Sequence, residues 1–339
     1  MLAEKPRILH VETGWLVASE TAEPVNVIDY SIYRGFPKWL RWIERLLRLD
    51  FYLAWRVKKM EQQFDIIYAK SEKVGIPLSF MRLRRPLVVV AHHLESPLKA
   101  RFAKMTGIAR NWAGIGYISN ESKDFFANRL GVATERLFQC ESAKYLDSVV
   151  PEEVTTDGPV MSLGVAKRDY NTLIAALTEL PGCRTDLYVS SKFGDTLHNT
   201  IEVPPPPWVR LKKFVSEEEL VARYRQARFV IVSLEETTHN GAGVNVVLEA
   251  GAFGKAVIAT NTGGMPTFVR DGETGILVPP YDVEAMQAAV EKLCSQPDLA
   301  HQMGQAGRCY VEQYFNPRDV DARIAALLDA IHRNGVPDL

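Results

Sequence analysis

The stretch Phe229-Val-Ile-Val-Ser-Leu-Glu-Glu-Thr-Thr-His-Asn-Gly-Ala-Gly-Val-Asn-Val-Val-Leu-Glu-Ala250 joins a β-branched run to a helical pattern through a loop ending in Gly241, Ala242 and Gly243. A short apolar run bounded by turn residues reads as a buried strand, and the spacing after the glycines reads as a helix that carries Glu249. Such a turn exposes backbone N–H groups at the positive end of a helix dipole, and glycine lets anionic oxygens approach the main chain, which suits a diphosphate. Glu249 lies two turns further on, about 9 Å along the axis at about 1.5 Å per residue, where a ribose would sit if phosphates occupied the first turn. Glycines that only shape a tight turn, with a solvated Glu249, would give the same pattern. Gly241-Ala-Gly243 also matches part of a dinucleotide fingerprint. Against that, Val246 stands where its third small residue belongs, and the strand at 256–260 ends without the acidic residue that would grip a ribose.

Working outward, β-branched runs alternate with amphipathic stretches along nearly the whole chain, the pattern of parallel sheets with helices on both faces. Strands are predicted at 7–11, 25–29, 65–68, 87–91, 115–118 and 137–140. After a polar linker at 151–158 they resume at 160–164, 186–189, 209–213, 229–233, 256–260 and 276–278. Four prolines at 204–207 read as a stiff loop inside the second half, because a strand pattern and the helix start Ser216-Glu-Glu-Glu219 follow at once. Residues 317–333 read as a final amphipathic helix. The expectation is two doubly wound α/β domains, 1–150 and 159–315, with ligands along the crevice between them and 316–339 as a closing helix.

The 339 residues fit two domains with cores of their own, and 40 Lys+Arg against 41 Asp+Glu leave a net charge of -1. A nearly neutral chain has no overall field for nucleic acid, so any anion must be met by a local cluster. Cys140, Cys183, Cys294 and Cys309 form no CxxC pair and are expected as reduced thiols. The N-terminus lacks the apolar core of a signal peptide, and no apolar run reaches the roughly 18 residues of a membrane span. The cytoplasm is the expected address.

Five segments in order carry a family resemblance. They are Val215-Ser-Glu-Glu-Glu-Leu220, Tyr224-Arg-Gln-Ala227, Val246-Val-Leu-Glu-Ala-Gly-Ala-Phe-Gly-Lys-Ala-Val-Ile-Ala-Thr260, Gly263-Gly-Met-Pro266 and Asp271-Gly-Glu-Thr-Gly-Ile-Leu-Val-Pro-Pro280. Over its second half the sequence resembles the retaining glycosyltransferases of GT-B fold, family 4 type. The resemblance implies an N-terminal Rossmann-like domain for the acceptor, a C-terminal Rossmann-like domain for a nucleotide-sugar donor, UDP- or GDP-linked, and a last helix that crosses back to the first domain. It implies that Glu249 holds the donor ribose. It also implies that Lys167 and Arg168, in Gly164-Val-Ala-Lys-Arg-Asp-Tyr170, neutralise the diphosphate, Arg168 aligning with the family lysine.

The family's second glutamate, eight positions before the ribose glutamate, falls on Gly241. Either Glu236 takes its place after the strand, or His239 or Asn240 does nearer the cradle, beside the backbone of Gly241, Ala242, Gly243 and Val244. In the first half, Val88-Val-Val-Ala-His-His93 ends a strand with two histidines on opposite sides if strand geometry continues. The resemblance assigns His92 to the sugar pocket, with His93 in reserve. The only DxD, Asp319-Val-Asp321, begins the final helix and reads as a dipole partner, so no metal and no cofactor are expected. With no paired carboxylates about a sugar site, retention is expected by front-face attack.

Residues 37–59, including Trp39, Trp42, Arg41, Arg45, Arg48, Arg56 and Lys59, form the most basic and aromatic stretch. It reads either as a helix on an anionic membrane at the inner face, offering a lipid-linked or apolar acceptor, or as a core helix with arginines snorkelling outward. Two other functions share the fold: a non-catalytic sugar-nucleotide-binding or partner subunit, and an epimerase or phosphorylase.

Overall fold

The computed structural model describes residues 6–11, 38–150, 157–189, 201–213 and 216–334, and side chains among these from residue 42 onward and at 6–11. The predicted strand at 25–29, most of the linker at 151–158, Val215, and the side chains of Trp39 and Arg41 lie outside that description. By contacts the chain divides into one unit of Met1–Cys140 with Arg318–Leu339 and a second of Glu141–Pro317.

The first unit holds β1 (Ile8–Val11), α1 (Lys38–Leu47), α2 (Phe51–Met60), β2 (Ile66–Ala69), α3 (Glu72–Phe80), β3 (Leu87–Val90), α4 (Pro97–Thr106), β4 (Gly114–Tyr117), α5 (Asn120–Asp124) and β5 (Leu137–Gln139). The strands are parallel, in the order β1-β2-β3-β4-β5. β2 and β3 are unbroken apolar runs, Ile-Ile-Tyr-Ala and Leu-Val-Val-Val, buried at every position, as strands covered on both faces must be. One face packs Leu9, Ile67, Val89 and Ile115 against Leu53, Val57, Val74 and Ala103 of the connecting helices. The other packs Ile66, Val88 and Val90 against Leu328 and Ile331 of the chain's last helix, Pro317–Asn334. Residues 37–59 are two helices rather than the single one expected. Arg48 takes a positive φ of 51° between them, and the Asp50 carboxylate accepts the Leu53 N–H at 3.0 Å, starting α2 afresh.

The second unit holds β6 (Val160–Leu163), α6 (Tyr170–Thr178), β7 (Thr185–Tyr188), β8 (Val209–Lys212), α7 (Glu217–Gln226), β9 (Val230–Val232), α8 (Val244–Ala252), β10 (Val257–Thr260), α9 (Met265–Phe268), β11 (Gly275–Val278), α10 (Val283–Ser295) and α11 (Pro297–Tyr314). The helix Pro317–Asn334 that follows is α12. Six parallel strands lie in the order β11-β10-β9-β6-β7-β8. From β6 the chain steps outward through β7 to β8, then returns to the other side of β6 as β9. The β6/β9 boundary is therefore where the strand order reverses, and ligands in open α/β sheets bind beyond the carboxyl ends of such a pair.

The cysteine expectation is corrected. Cys183, in the turn before β7, and Cys294, in the last turn of α10, are joined by a disulfide with their Cα atoms 6.4 Å apart. A separation of 111 residues gives no sequence signal, and only the packing of α10 on α6 brings the two turns together. Cys140 and Cys309 are thiols.

Candidate functional site

Two loops leave the β6/β9 boundary of the second unit and are tied together. Residues 167–169 run antiparallel to 233–235. The Glu235 N–H donates to the Lys167 carbonyl at 3.0 Å, the Asp169 N–H to Ser233 O at 3.2 Å, and the Ser233 hydroxyl to Asp169 O at 2.7 Å. This pairing turns Arg168 inward and leaves Lys167, at φ 58°, at the surface, where its ammonium lies 3.3 Å from Glu235 Oε2.

Arg168 is 4% exposed. Its Nε donates to Leu163 O at 2.9 Å and Nη1 to Ala166 O at 3.2 Å, and among the described residues no carboxylate lies within ion-pair distance of it. Burial pulls the guanidinium's pKa below its ordinary value, as for a cation that has lost water without gaining an anion. A buried charge without a counter-ion is costly, and an anion supplied from solution would offset that cost.

The guanidinium faces the start of α8. Gly243 caps that helix at φ 79°, where a Cβ would come 2.6 Å from Val232 Cγ1 and 3.6 Å from Arg168 Nη1. No side chain caps α8, and the first hydrogen bond onto its cap is Val247 N–H to Gly243 O. The amides of Val244, Asn245 and Val246 therefore lack acceptors. The Gly241 and Ala242 amides are already engaged, with His239 Nδ1 and His239 O, each at 3.1 Å. The open N–H groups thus begin at Gly243, two residues later than the sequence reading placed them.

Glu249, two turns into α8, accepts the Tyr224 hydroxyl at Oε2, 2.7 Å away, and Oε1 accepts no hydrogen bond among the described residues. Burial pushes its carboxyl upward against the opposing pull of the Tyr224 hydroxyl and the Lys144 charge. Tyr224 is held by stacking on Phe253, with ring centroids 4.9 Å apart and 9° between planes. Lys144 in turn pairs with Glu217 at 2.7 Å.

Of the candidates for the missing glutamate, Glu236 is exposed, with its N–H given to the Tyr281 hydroxyl at 3.0 Å, while Asn240 is buried. The loop between them is fastened to the one after β10. Thr237 N–H donates to Thr262 Oγ1 at 2.9 Å, and Gly263, at φ 54°, lies so close that a Cβ would come 2.9 Å from His239 O. Thr262 was not singled out in the sequence, and Tyr224 was quoted only as part of a motif, without its contact to Glu249. Gly263 was quoted only as part of a motif, although Gly-Gly before Pro is itself a signal of close backbone approach.

In the first unit β3 ends at Val90, so the alternation that would point His92 and His93 to opposite sides does not extend to them. His92 donates its backbone N–H to Glu72 Oε2 at 3.1 Å, and its Nε2 lies 3.1 Å from Lys70 O. A carbonyl can only accept, so Nε2 carries a proton. Glu72, 1% exposed, also receives the Lys99 ammonium at 2.7 Å. Burial pushes its carboxyl upward, but the charge and hydrogen bond of Lys99, with His92 and His93, hold it below the usual range. Nothing in the sequence distinguished Glu72 from any acid in the first turn of a helix. The Asp319-Val-Asp321 pair lies in the first two turns of α12.

The site and fold define a class, two parallel-sheet Rossmann-like units of GT-B type. The chain is similar to sucrose-phosphate synthase from Thermosynechococcus elongatus (TM-score 0.64, 19% identity, 93% of this chain and 82% of that one). It is likewise similar to Anabaena Alr3699/HepE in complex with UDP-glucose (TM-score 0.65, 19% identity, 82% of each chain). Residues 205–309 match the family described as Glycosyl transferases group 1, so the second unit carries a domain of that family and the chain is a homologue of GT-B glycosyltransferases. Curated relatives include a D-inositol 3-phosphate glycosyltransferase of Thermobifida fusca, 32% identical over 37% of this chain and 28% of its own length. Another is a GDP-mannose-dependent alpha-(1-6)-phosphatidylinositol monomannoside mannosyltransferase of Mycolicibacterium smegmatis, 32% identical over 51% of this chain and 48% of its own. A third is the lipopolysaccharide core biosynthesis glycosyltransferase LpsE of Rhizobium meliloti, 29% identical over 52% and 51%. The chain thus spans between about a quarter and a half of the curated relatives it matches.

Proposed function

We propose that the chain is a retaining glycosyltransferase that moves a sugar from a UDP- or GDP-linked donor to an acceptor hydroxyl without a metal ion. The observation that carries this reading is the buried, counter-ion-free Arg168 beside the uncapped first turn of α8. The donor's diphosphate occupies that corner, and Glu249 Oε1 accepts the ribose hydroxyls. As the sugar–phosphate bond breaks, negative charge grows on the leaving diphosphate. Arg168 and the α8 amides, already oriented, stabilise it more than the ground state, which lowers the barrier. Lys167 joins them when it exchanges Glu235 for phosphate. The acceptor hydroxyl attacks the same face that the phosphate leaves, and a phosphate oxygen takes its proton. Asn240 or Glu236 contacts the transferred sugar, and in the first unit His92, oriented by Glu72 and Lys70, is the candidate catalytic side chain.

The first unit, with α12, binds the acceptor, and the second binds the donor. Lipid-linked acceptors are named for the Mycolicibacterium mannosyltransferase, and a lipid-linked or apolar acceptor is proposed for this chain. Contact of residues 39–59 with the inner face of the membrane is part of that reading. No helix among the described residues is long and apolar enough to cross a membrane. A second reading, a non-catalytic sugar-nucleotide-binding subunit, is favoured by Gly241 standing where the resemblance implies a glutamate. Release of nucleoside diphosphate from UDP- and GDP-sugars, with and without lipid acceptors, tests the proposal. Turnover supports transfer, and binding without turnover supports the second reading.

A further inference from the structure

In the first unit α4 is amphipathic in the wrong sense for a helix packed on a sheet. Its small residues Ala100 and Ala103 meet the core, while Leu98 and Met105 are 86% and 76% exposed and Phe102 is exposed between them. Leu98, Phe102 and Met105 stand at i, i+4 and i+7, so they form one continuous outward stripe. Phe80, exposed at the end of α3, extends it, with its ring centroid 6.0 Å from that of Phe102. Arg101 and Lys104 flank the stripe, α4 contains no acidic residue, and among the described residues neither cation has a carboxylate partner.

We propose that α4, with Phe80, is a docking surface for an anionic lipid bilayer. The large apolar side chains enter the acyl boundary while Arg101 and Lys104 meet headgroup phosphates. The charge is local, on a chain whose net charge is only -1, so it marks a surface rather than a general excess. α1 repeats the signature, with Trp42 65% and Leu46 66% exposed beside the exposed Arg45 and Arg48. The core packing puts α2, α3 and α4 on one face of the sheet, opposite α12. The inference extends the membrane contact proposed for residues 39–59 to a second, independent helix.

Co-sedimentation with vesicles of phosphatidylcholine alone, and of phosphatidylcholine with about a third phosphatidylglycerol, tests it. The wild type is expected to bind the anionic vesicles preferentially. Leu98→Gln/Phe102→Gln/Met105→Gln and Arg101→Glu/Lys104→Glu should each lower that binding at least about tenfold, with melting temperature unchanged because the residues are exposed. Trp42→Gln/Leu46→Gln serves as the comparison. Loss in that variant alone overturns the role of α4 and leaves residues 39–59 as the contact. Equal binding by all proteins, or none by the wild type, overturns both. Wild-type dimers that the α4 variants abolish in vesicle-free sedimentation would make the stripe a self-association surface instead. UDP and GDP binding reports on the second unit alone, so its outcome is separate from all of these.

Discussion

The Arg168 guanidinium lies against the α-carbon of Gly243, so near that a methyl group there would sit 3.6 Å from Nη1 and 2.6 Å from Val232 Cγ1. The loop after β6 supplies the cation, α8 supplies the amides, and glycine is the one residue whose size and positive φ let the two meet.

Gly243→Ala should therefore destabilise the protein by about 1–3 kcal/mol, from strain at positive φ and overpacking of Val232. Urea denaturation would read that loss. Nucleotide binding should fall as well, since the Cβ would push the α8 amides away from Arg168.

The two basic residues should separate. Arg168→Met removes preorganised charge from the leaving group and should lower kcat by roughly 100-fold or more. Lys167→Ala, which gives up an exposed ion pair, should lower it far less. Single-turnover assays with saturating donor make the comparison, and equal effects would contradict the assignment of Arg168 as the main counter-charge.

Glu249 links stability to pH with a definite sign. Its folded-state pKa is raised above the unfolded value, chiefly by burial. Any stability it lends is present below the ordinary glutamate value near about 4.3 and is lost as pH rises through the raised folded value. Glu249→Gln should flatten that decline in melting temperature while weakening nucleotide binding, because an amide accepts ribose hydroxyls less well than a carboxylate. A variant that loses neither the pH slope nor affinity would remove Glu249 from the site.

Glu72 has the opposite sign. With its carboxyl held below the usual range by Lys99 against the push of burial, its contribution is present above the unfolded value and lost as pH falls through the lowered one. Glu72→Ala strands the Lys99 ammonium and the His92 N–H, and should cost about 3–5 kcal/mol in chemical denaturation.

What the sequence made legible followed from local pattern. Runs such as Leu-Val-Val-Val at 87–90 and Val-Ile-Ala-Thr at 257–260 can be little other than strands in a chain of this alternation, and each described strand fell within two residues of its expected ends. The break between α1 and α2 was missed because Asp50 capping a new helix looks, in sequence, like one more polar residue on an existing one. The Cys183–Cys294 bond and the Glu72–Lys99 pair, 111 and 27 positions apart, depend on tertiary packing that no spacing encodes. Around the start of α8, the glycines, Arg168 and Glu249 were visible as types at telling positions. His239 engaging the Gly241 and Ala242 amides was not, because backbone partners of a loop are set by its three-dimensional turn.

The central claim, a nucleoside diphosphate bound at Arg168 and the start of α8, is tested most directly by calorimetric titration of UDP, GDP and their bare nucleosides into wild type and Arg168→Met. The account predicts that one diphosphate binds the wild type and loses at least about tenfold affinity in the variant, while the matching nucleoside binds both proteins alike. If neither diphosphate binds, or the variant binds it as tightly as the wild type, the account is contradicted.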